Sequence, residues 1–471
     1  MAEGPSGRDP AGDGGRTRDG GRTPVGDGTL SDRAYGDVIA VGIRPAGGGR
    51  IALAEAPRPH EPTLRFQSRA RTIEDIEKEL SRIWASTDLT APVEGAPGRH
   101  VAARTSVMNL VIIARTAEVA ERCAATVSRL TGRHPSRTLA VQSADPDGPS
   151  WIDARIQAFC VLPREDAPET CAELIFLTAG GEAGRHLAAL VTPLLIHDLP
   201  VMLWWPGEPN LASRPAEDLL ESADRLVVDG STWSGDGLDR VRTLADLYDR
   251  FPRLSIRDFA LVRQSRWREA IAAVFDMPEF LPYLPYLRRV SVTYGTHDPT
   301  GAPGSTNVIK PLYHVAWLGS RLGLRVVRPL RPSEARSPAV RRQGRCAAGG
   351  APVVMHRGLV ASFGGPHGEV AVVVRPVESR MPSGTTLRVE LLAERRGSEL
   401  RADVTAEAEN VHVRVWLDGV EALERTFKAP RRTDVDLLDE AIEIGGRDPI
   451  AVETIRMAAA LAARGNGKRG A

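Results

Sequence analysis

SVMNLVIIARTAEVAERCAATVSRLTGRHPSRTLAVQ, residues 106 to 142, sets an apolar run, an amphipathic segment and a second apolar run in succession. That alternation predicts strand, helix and strand, the unit of a mostly parallel sheet covered by helices. It continues downstream: strands are expected at Ile152 to Leu162, Glu173 to Thr178, Pro200 to Trp205 and Arg225 to Val228. Helices are expected near Ala117 to Leu130, Glu182 to Ile196, Pro215 to Ser222, Leu238 to Arg250 and Arg263 to Phe275. Ile152 to Leu162 and Glu173 to Thr178 read as an antiparallel hairpin. Upstream, Thr72 is an N-cap candidate before Glu74, Asp75 and Glu77, with Ile73, Ile76, Leu80, Ile83 and Trp84 at helical spacing.

A strand at Arg289 to Tyr294 and a helix at Leu312 to Leu322 lead into RPLRPSEARSPAVRRQGR, residues 328 to 345, whose composition marks a linker or exposed loop over 328–350. Beyond it, six runs from Pro352 to Phe427 recur at hairpin spacing, and Val411, Val413 and Val415 alternate with His412, Arg414 and Trp416. Helices Val435 to Ile444 and Pro449 to Ala463 follow. The expected fold class is α/β: a mostly parallel sheet flanked by helices over 70–330, then a mainly antiparallel β (α+β) C-terminal domain over 351–465. Residues 1–60, rich in Gly, Pro, Arg and Asp, read as a disordered tail.

The 471 residues are enough for two to three domains with hydrophobic cores. Lys+Arg 61 against Asp+Glu 60 provides no cationic excess to hold a polyanion, so general nucleic-acid binding is not expected. All but Lys78, Lys310, Lys428 and Lys468 of the basic residues are arginine. The opening 30 residues lack the apolar core of a secretory signal, and Leu187 to Trp205 is interrupted by Pro193, His197, Asp198 and Pro200. A cytoplasmic protein that does not engage the membrane is expected. Cys123, Cys160, Cys171 and Cys346 form no CxxC pair. Cys160 and Cys171 face each other near the hairpin ends, so a reversible disulfide is conceivable, but two buried reduced thiols are the favoured expectation.

The chain has no GxGxxG after a strand, no GxxxxGK[ST], and no HExxH or GxSxG. Neither a metal site nor a cofactor is expected. Three segments are unusual. HDLPVMLWWPG, 197 to 207, places Trp204 and Trp205 on opposite faces of a strand. RQSRWRE, 263 to 269, concentrates Arg263, Arg266, Trp267 and Arg268, residue types enriched at binding hot spots. HPSR, 134 to 137, opens a strand with a turn in which Arg137 can clamp an anion. His134, Ser136, Arg137, His197 and Asp198 are therefore pocket candidates. Each segment also has a structural interpretation: core tryptophans, solvated arginines and an ordinary turn.

These segments carry a resemblance. TSVMNLVIIA (105–114), HPSRT (134–138), ALVTPLLIHDLPVMLWWPG (189–207), ADRLVVDGS (223–231) and RDFALVRQSRWREAIAAVFD (257–276) resemble, in order and spacing, the glucose-6-phosphate dehydrogenase assembly protein family, OpcA. DVDLLDEAIEIGGRDPIAVETIRMAAALA at the end is similar to that family's closing pattern. The chain departs from it at Ala189, where a serine is expected, at Leu261, where a tryptophan is expected, and at Gly230, which separates Asp229 from Ser231. The resemblance implies a non-catalytic partner that binds glucose-6-phosphate dehydrogenase, promotes its active oligomer and regulates the oxidative pentose phosphate pathway. Trp204, Trp205, Arg263, Arg266, Trp267 and Arg268 are the partner-binding candidates. A metabolite sensor responding to a small-molecule effector, and a sugar-phosphate-processing enzyme using the HPSR turn and Asp198, are the alternatives.

Overall fold

A computed structural model describes residues 49–50, 61–85, 103–162, 169–298, 304–336, 354–407 and 409–463. The first sheet is built from β1 (Gly49–Arg50), β2 (Pro62–Ala70), β3 (Ala103–Arg104), β4 (Met108–Ala114), β5 (Ser136–Ala144), β6 (Trp151–Val161), β7 (Thr170–Gly180), β8 (Val201–Trp205), β9 (Arg225–Val228) and β10 (Ser255–Asp258). Its order is β1-β2-β6-β7-β5-β4-β8-β9-β10, with β3 beside β7. The six strands from β7 to β10 in that order run parallel. This is the spatial order 3-2-1-4-5-6 of doubly wound folds, in which the strand order reverses on either side of β4. β6 and β2 extend it antiparallel, so the expected hairpin of β6 and β7 is present.

β4 shows why the central strands read as continuous apolar runs, because all seven of its residues are buried. Leu110 and Ile112 enter one core and Val111 and Ile113 the other, as period-two side chains buried on both faces must.

Helix α1 (Ile73–Ala85) starts where Thr72 Oγ1 accepts from the Asp75 amide at 3.1 Å, and it buries Ile76, Leu80 and Ile83. Those three side chains contribute roughly 5–8 kcal/mol as an upper estimate. α2 (Ala117–Ser128) is capped by Thr116. The helix expected over Glu182 to Ile196 is instead broken into α3 (Gly181–Arg185), α4 (Leu187–Val191) and a 3-10 turn at Thr192–Leu194. His186 has φ −114 and ψ 52, outside the helical region, and Pro193 removes an amide donor. α5 (Arg214–Glu221), α6 (Leu238–Arg250), α7 (Phe259–Val262) and α8 (Ser265–Phe275) complete this part.

The second sheet contains β11 (Leu287–Thr296), β12 (Arg325–Arg336), β13 (Val354–Gly365), β14 (Gly368–Glu378), β15 (Thr386–Arg395), β16 (Ser398–Glu407), β17 (Asn410–Leu417) and β18 (Val420–Lys428), in the order β12-β13-β14-β11-β15-β16-β17-β18. It is antiparallel except where β11 pairs β14. β11 thus precedes the 328–350 segment in the chain yet lies at the centre of this sheet. The linker expectation for 328–350 is corrected over 328–336, part of β12, which pairs with β13 through three register shifts. Pro329 and Pro332 disguise it, since proline in a sheet is confined to edges and bulges. Residues 337–350 lie outside the described residues, as does the expected tail apart from Gly49–Arg50, which pairs with Gln67 and Phe66.

α9 (Ile309–Arg321) packs between the two sheets; Phe363 lies against Gly319, where a Cβ would come within 2.7 Å of its ring. α10 (Asp434–Glu443) returns to the first sheet, its Leu437, Leu438 and Ala441 joining Leu110, Trp204 and Phe259 in one core. α11 (Pro449–Leu461) joins the other core, against α6 and α9. The chain between them crosses the amino end of β10, where Ser255 and Arg257 donate to carbonyls of 444 and 446. No helix among the described residues is long and apolar enough to cross a membrane.

Candidate functional site

The carboxyl ends of β8, β9 and β10 stand level, with Trp205 beside Val228 and Val228 beside Asp258. This edge is where open α/β sheets take ligands. Asp258 caps α7 through the Ala260 amide at 2.8 Å, and its carboxylate also accepts from the Gly230 amide at 2.8 Å and the Tyr313 hydroxyl at 2.7 Å. Burial, with the Asp229 charge nearby, pushes its carboxyl up to about 6, while the three donors oppose that rise. Gly230 suits its place because a Cβ there would lie 2.5 Å from an Asp258 oxygen.

Asp229 accepts from the Ser231 hydroxyl at 2.6 Å and from Arg263 at 2.7 Å. Arg263 also reaches Ser231 Oγ at 3.2 Å and lies over the Phe259 ring. Asn307 ties α9 to this edge, donating to the carbonyls of Gly230 and Trp233 at 2.8 and 2.9 Å. Lys310, in the first turn of α9, has a long 3.5 Å hydrogen bond to Thr385 Oγ1. Burial, then the Arg263 charge, lowers its ammonium to about 8. Asp258 uses all its near donors inside the protein and is 1% exposed, so it positions strand ends and does not meet a substrate.

Of the six partner-binding candidates, only Arg266 is exposed, and it pairs with Glu269 at 2.7 Å. Trp204 is 2% exposed, tilted against Phe259, and therefore supports the core from inside. Trp205 faces the opposite core and is partly buried, as the strand geometry requires. Trp267 packs 5.2 Å from the ring of His314. His314 is fully buried with no hydrogen-bond partner on either nitrogen among the described residues; burial, then the Arg268 charge, lowers it to about 3 and keeps it neutral. Arg268 donates to the Leu261 carbonyl at 2.7 Å.

The pocket candidates gather at the opposite edge. Parallel pairing of Met108 with Ser136 and of Asn109 with Val201 puts HPSR and the HDLP turn at the amino ends of β5 and β8. His197 and Asp198 are exposed, the latter at φ +65. Ser136 bonds Thr138 at 2.9 Å. Arg137 is buried against Glu173 and donates to the Leu194 carbonyl at 2.9 Å, so the carboxylate it meets is one of the protein's own. Asn109, passed over in the sequence, donates to the Ile196 carbonyl at 2.9 Å and accepts from its amide at 2.8 Å. Its signal was a lone amide in an apolar run.

His134 Nε2 lies 2.8 Å from Asp439 on α10, and Arg133 pairs with Asp439 and Glu443. His134, Asp439 and Glu443 bring donor atoms within 4.8 Å of one another, as do Cys160, Cys171 and Glu169. In the first group Arg133 already pairs with both carboxylates. In the second, Cys160 and Cys171 are joined as a disulfide, Cα atoms 4.0 Å apart, and Glu169 takes both of its 2.7 Å bonds from Arg65. The favoured expectation of reduced thiols is thereby corrected, because the hairpin register sets the two cysteines directly opposite each other.

Two family models match the chain. One is described as the glucose-6-phosphate dehydrogenase subunit N-terminal domain and matches residues 127–245. The other, the C-terminal domain of that subunit, matches residues 254–454. Among curated relatives, the OxPP cycle protein OpcA of Synechocystis sp. is 27% identical over 188 residues, covering 39% of this chain and 36% of that protein. The protein of that name in Synechococcus elongatus is 27% identical over 178 residues, covering 38% and 37%. The chain's matches thus span little more than a third of those relatives' length. Among solved structures, the transcriptional regulator Gal80p from Kluyveromyces lactis aligns over 72% of this chain and 79% of that one, with 8% identity and a TM-score of 0.39. With the two models together covering well over half of the sequence, the chain belongs to the glucose-6-phosphate dehydrogenase assembly protein family, OpcA.

Proposed function

We propose that this protein is a non-catalytic regulatory partner of glucose-6-phosphate dehydrogenase that favours the active oligomer and so regulates entry to the oxidative pentose phosphate cycle. The observation that carries this reading is the pair of family models described as domains of that dehydrogenase's subunit, which run from residue 127 to 454 with a short gap. The strand-end geometry supports it. β4 runs directly into Arg115 and Thr116, whose side chain caps α2, where a dinucleotide fold would place its glycines.

An activator must bind the active conformation better than the inactive one, and a tenfold shift in their ratio needs about 1.4 kcal/mol of differential affinity. The test is dehydrogenase activity titrated with this protein, alongside size-exclusion chromatography with light scattering. Saturable activation with co-elution is expected; neither effect would overturn the reading. A small-molecule effector is a second reading, favoured by Lys310. Among the described residues no carboxylate pairs with its ammonium within 4.0 Å, and an anionic metabolite would complete it.

A further inference from the structure

Helix α9 carries a cation where a helix favours an anion. The unpaired amides of a helix start give that end a partial positive charge, so a lysine in the first turn is electrostatically out of place. Lys310 stands in the first turn of this thirteen-residue helix, and Arg263 adds a second positive charge to its surroundings. Asn307 holds the same turn at the strand-end edge through its bonds to Gly230 and Trp233, on the side of the sheet where ligands enter open α/β folds.

The carboxylates nearby are committed elsewhere. Asp229, whose charge Lys310 feels, accepts from Arg263 at 2.7 Å and from the Ser231 hydroxyl at 2.6 Å. Asp258 is closed in by the Gly230 and Ala260 amides and the Tyr313 hydroxyl. Arg263 is thus balanced and Lys310 is not. Its ammonium is almost wholly enclosed, although the residue keeps an exposed edge, and its one hydrogen bond among the described residues is the 3.5 Å contact with Thr385 Oγ1. Burying a cation without a close partner is costly, and an anion that reaches it removes that cost.

The donors around Lys310 suit an oxyanion. Asn307 Oδ1 takes the Ile309 amide at 3.0 Å and Pro311 has no amide, so among the described residues the free amide of this turn is that of Lys310 itself. Helical side chains lean toward the amino end, which brings the ammonium back over the same opening. Thr385 Oγ1 accepts from Lys310, leaving its own proton to donate. Thr385 is held in place from its neighbour, because the Gly384 amide donates to the Gly295 carbonyl at 2.8 Å and a Cβ at Gly384 would clash with the Asn307 carbonyl. Both Lys310 and Thr385 are half-buried, so a solute reaches them from solvent. Ammonium, hydroxyl and amide make three donors, which matches the three terminal oxygens of a phosphate monoester and exceeds the two of a carboxylate.

We propose that Lys310, through its ammonium and amide, and Thr385 form a binding site for the phosphate group of a small phosphorylated metabolite. It rests on the small-molecule effector reading and gives that reading a place and a ligand class. The test is calorimetric titration of the full-length chain with inorganic phosphate, and with acetate at equal ionic strength, for wild type, Lys310→Met, Thr385→Val and Lys428→Met, the last an exposed lysine on β18. Melting curves establish that each variant is folded. Wild type is expected to bind phosphate saturably and at least tenfold tighter than acetate. Lys310→Met should weaken that binding at least tenfold and Thr385→Val at least threefold, with Lys428→Met within twofold. Where Lys310→Met does not fold, Thr385→Val, which keeps the cation, decides. No saturable binding, no preference over acetate, or binding unchanged in the folded variants, an adventitious ion only, overturns the site. Dehydrogenase titrations with and without phosphate separate the two claims: binding that depends on Lys310 but leaves the dehydrogenase unaffected keeps the site and overturns the effector reading.

Discussion

Replacing Arg137 by methionine tests whether the HPSR arginine holds the fold or waits for a ligand. Its guanidinium is 7% exposed and its partner Glu173 1% exposed, and Glu173 also accepts from the Trp84 indole. Removing the cation strands a buried carboxylate, and breaking such a pair costs about 3–5 kcal/mol. The loss also frees the Leu194 carbonyl, which adds about 1 kcal/mol. Arg137→Met alone should thus lower stability by about 4–6 kcal/mol in urea denaturation. In the double variant with Glu173→Met most of that loss should return, because no charge remains stranded in the core. Additive losses in the cycle, or an Arg137→Met protein as stable as wild type, would refute the internal role and restore Arg137 as a free anion ligand.

Asp258 supplies a pH signature. Its folded carboxyl titrates near 6 against an ordinary 3.8, so the unfolded state loses its proton first. The stability it contributes is therefore present below about pH 4 and declines as pH rises through 6, by about 3 kcal/mol. Relative to Asp258→Asn, wild type should lose that amount between pH 4 and 7 in paired urea melts, and parallel curves would contradict the assignment. Arg225 donates to the carbonyls of Ala441, Ile442 and Ile444 at the end of α10. Arg225→Ala should cost about 2–3 kcal/mol and speed hydrogen exchange in 437–443 ahead of the rest, with unchanged exchange there counting against the capping role.

Where local pattern determines structure, the sequence was legible. Val411, Val413 and Val415 are buried at 1%, 1% and 0%, as their alternation required, and α6 begins and ends where its periodicity did. What escaped depended on distant contacts. β10, SIRD, has a serine, an arginine and an aspartate among its four buried residues, and their partners lie on α9 and in the 444–446 segment. Nothing local marks such a strand as buried. β11 looked like part of the first domain because its neighbours β14 and β15 come about 80 and 100 residues later. At the site, Trp204, Trp205, Arg263 and Arg268 were legible as unusual, but composition does not distinguish a side chain aimed at a partner from one aimed at its own backbone.

That ambiguity has a physical root in the chain's arginines. A planar guanidinium donates in several fixed directions at once, so one side chain can satisfy several orphan carbonyls at a helix end or loop. Arg225 does this for the last turn of α10, and Arg447 for the carbonyls of Tyr248, Phe251 and Leu254 after α6. Arg242 reaches the Ala462 carbonyl at the end of α11. Each such contact ties the C-terminal segment to the first sheet or to α6 on its surface. Arginine enrichment here therefore serves internal fastening at these sites.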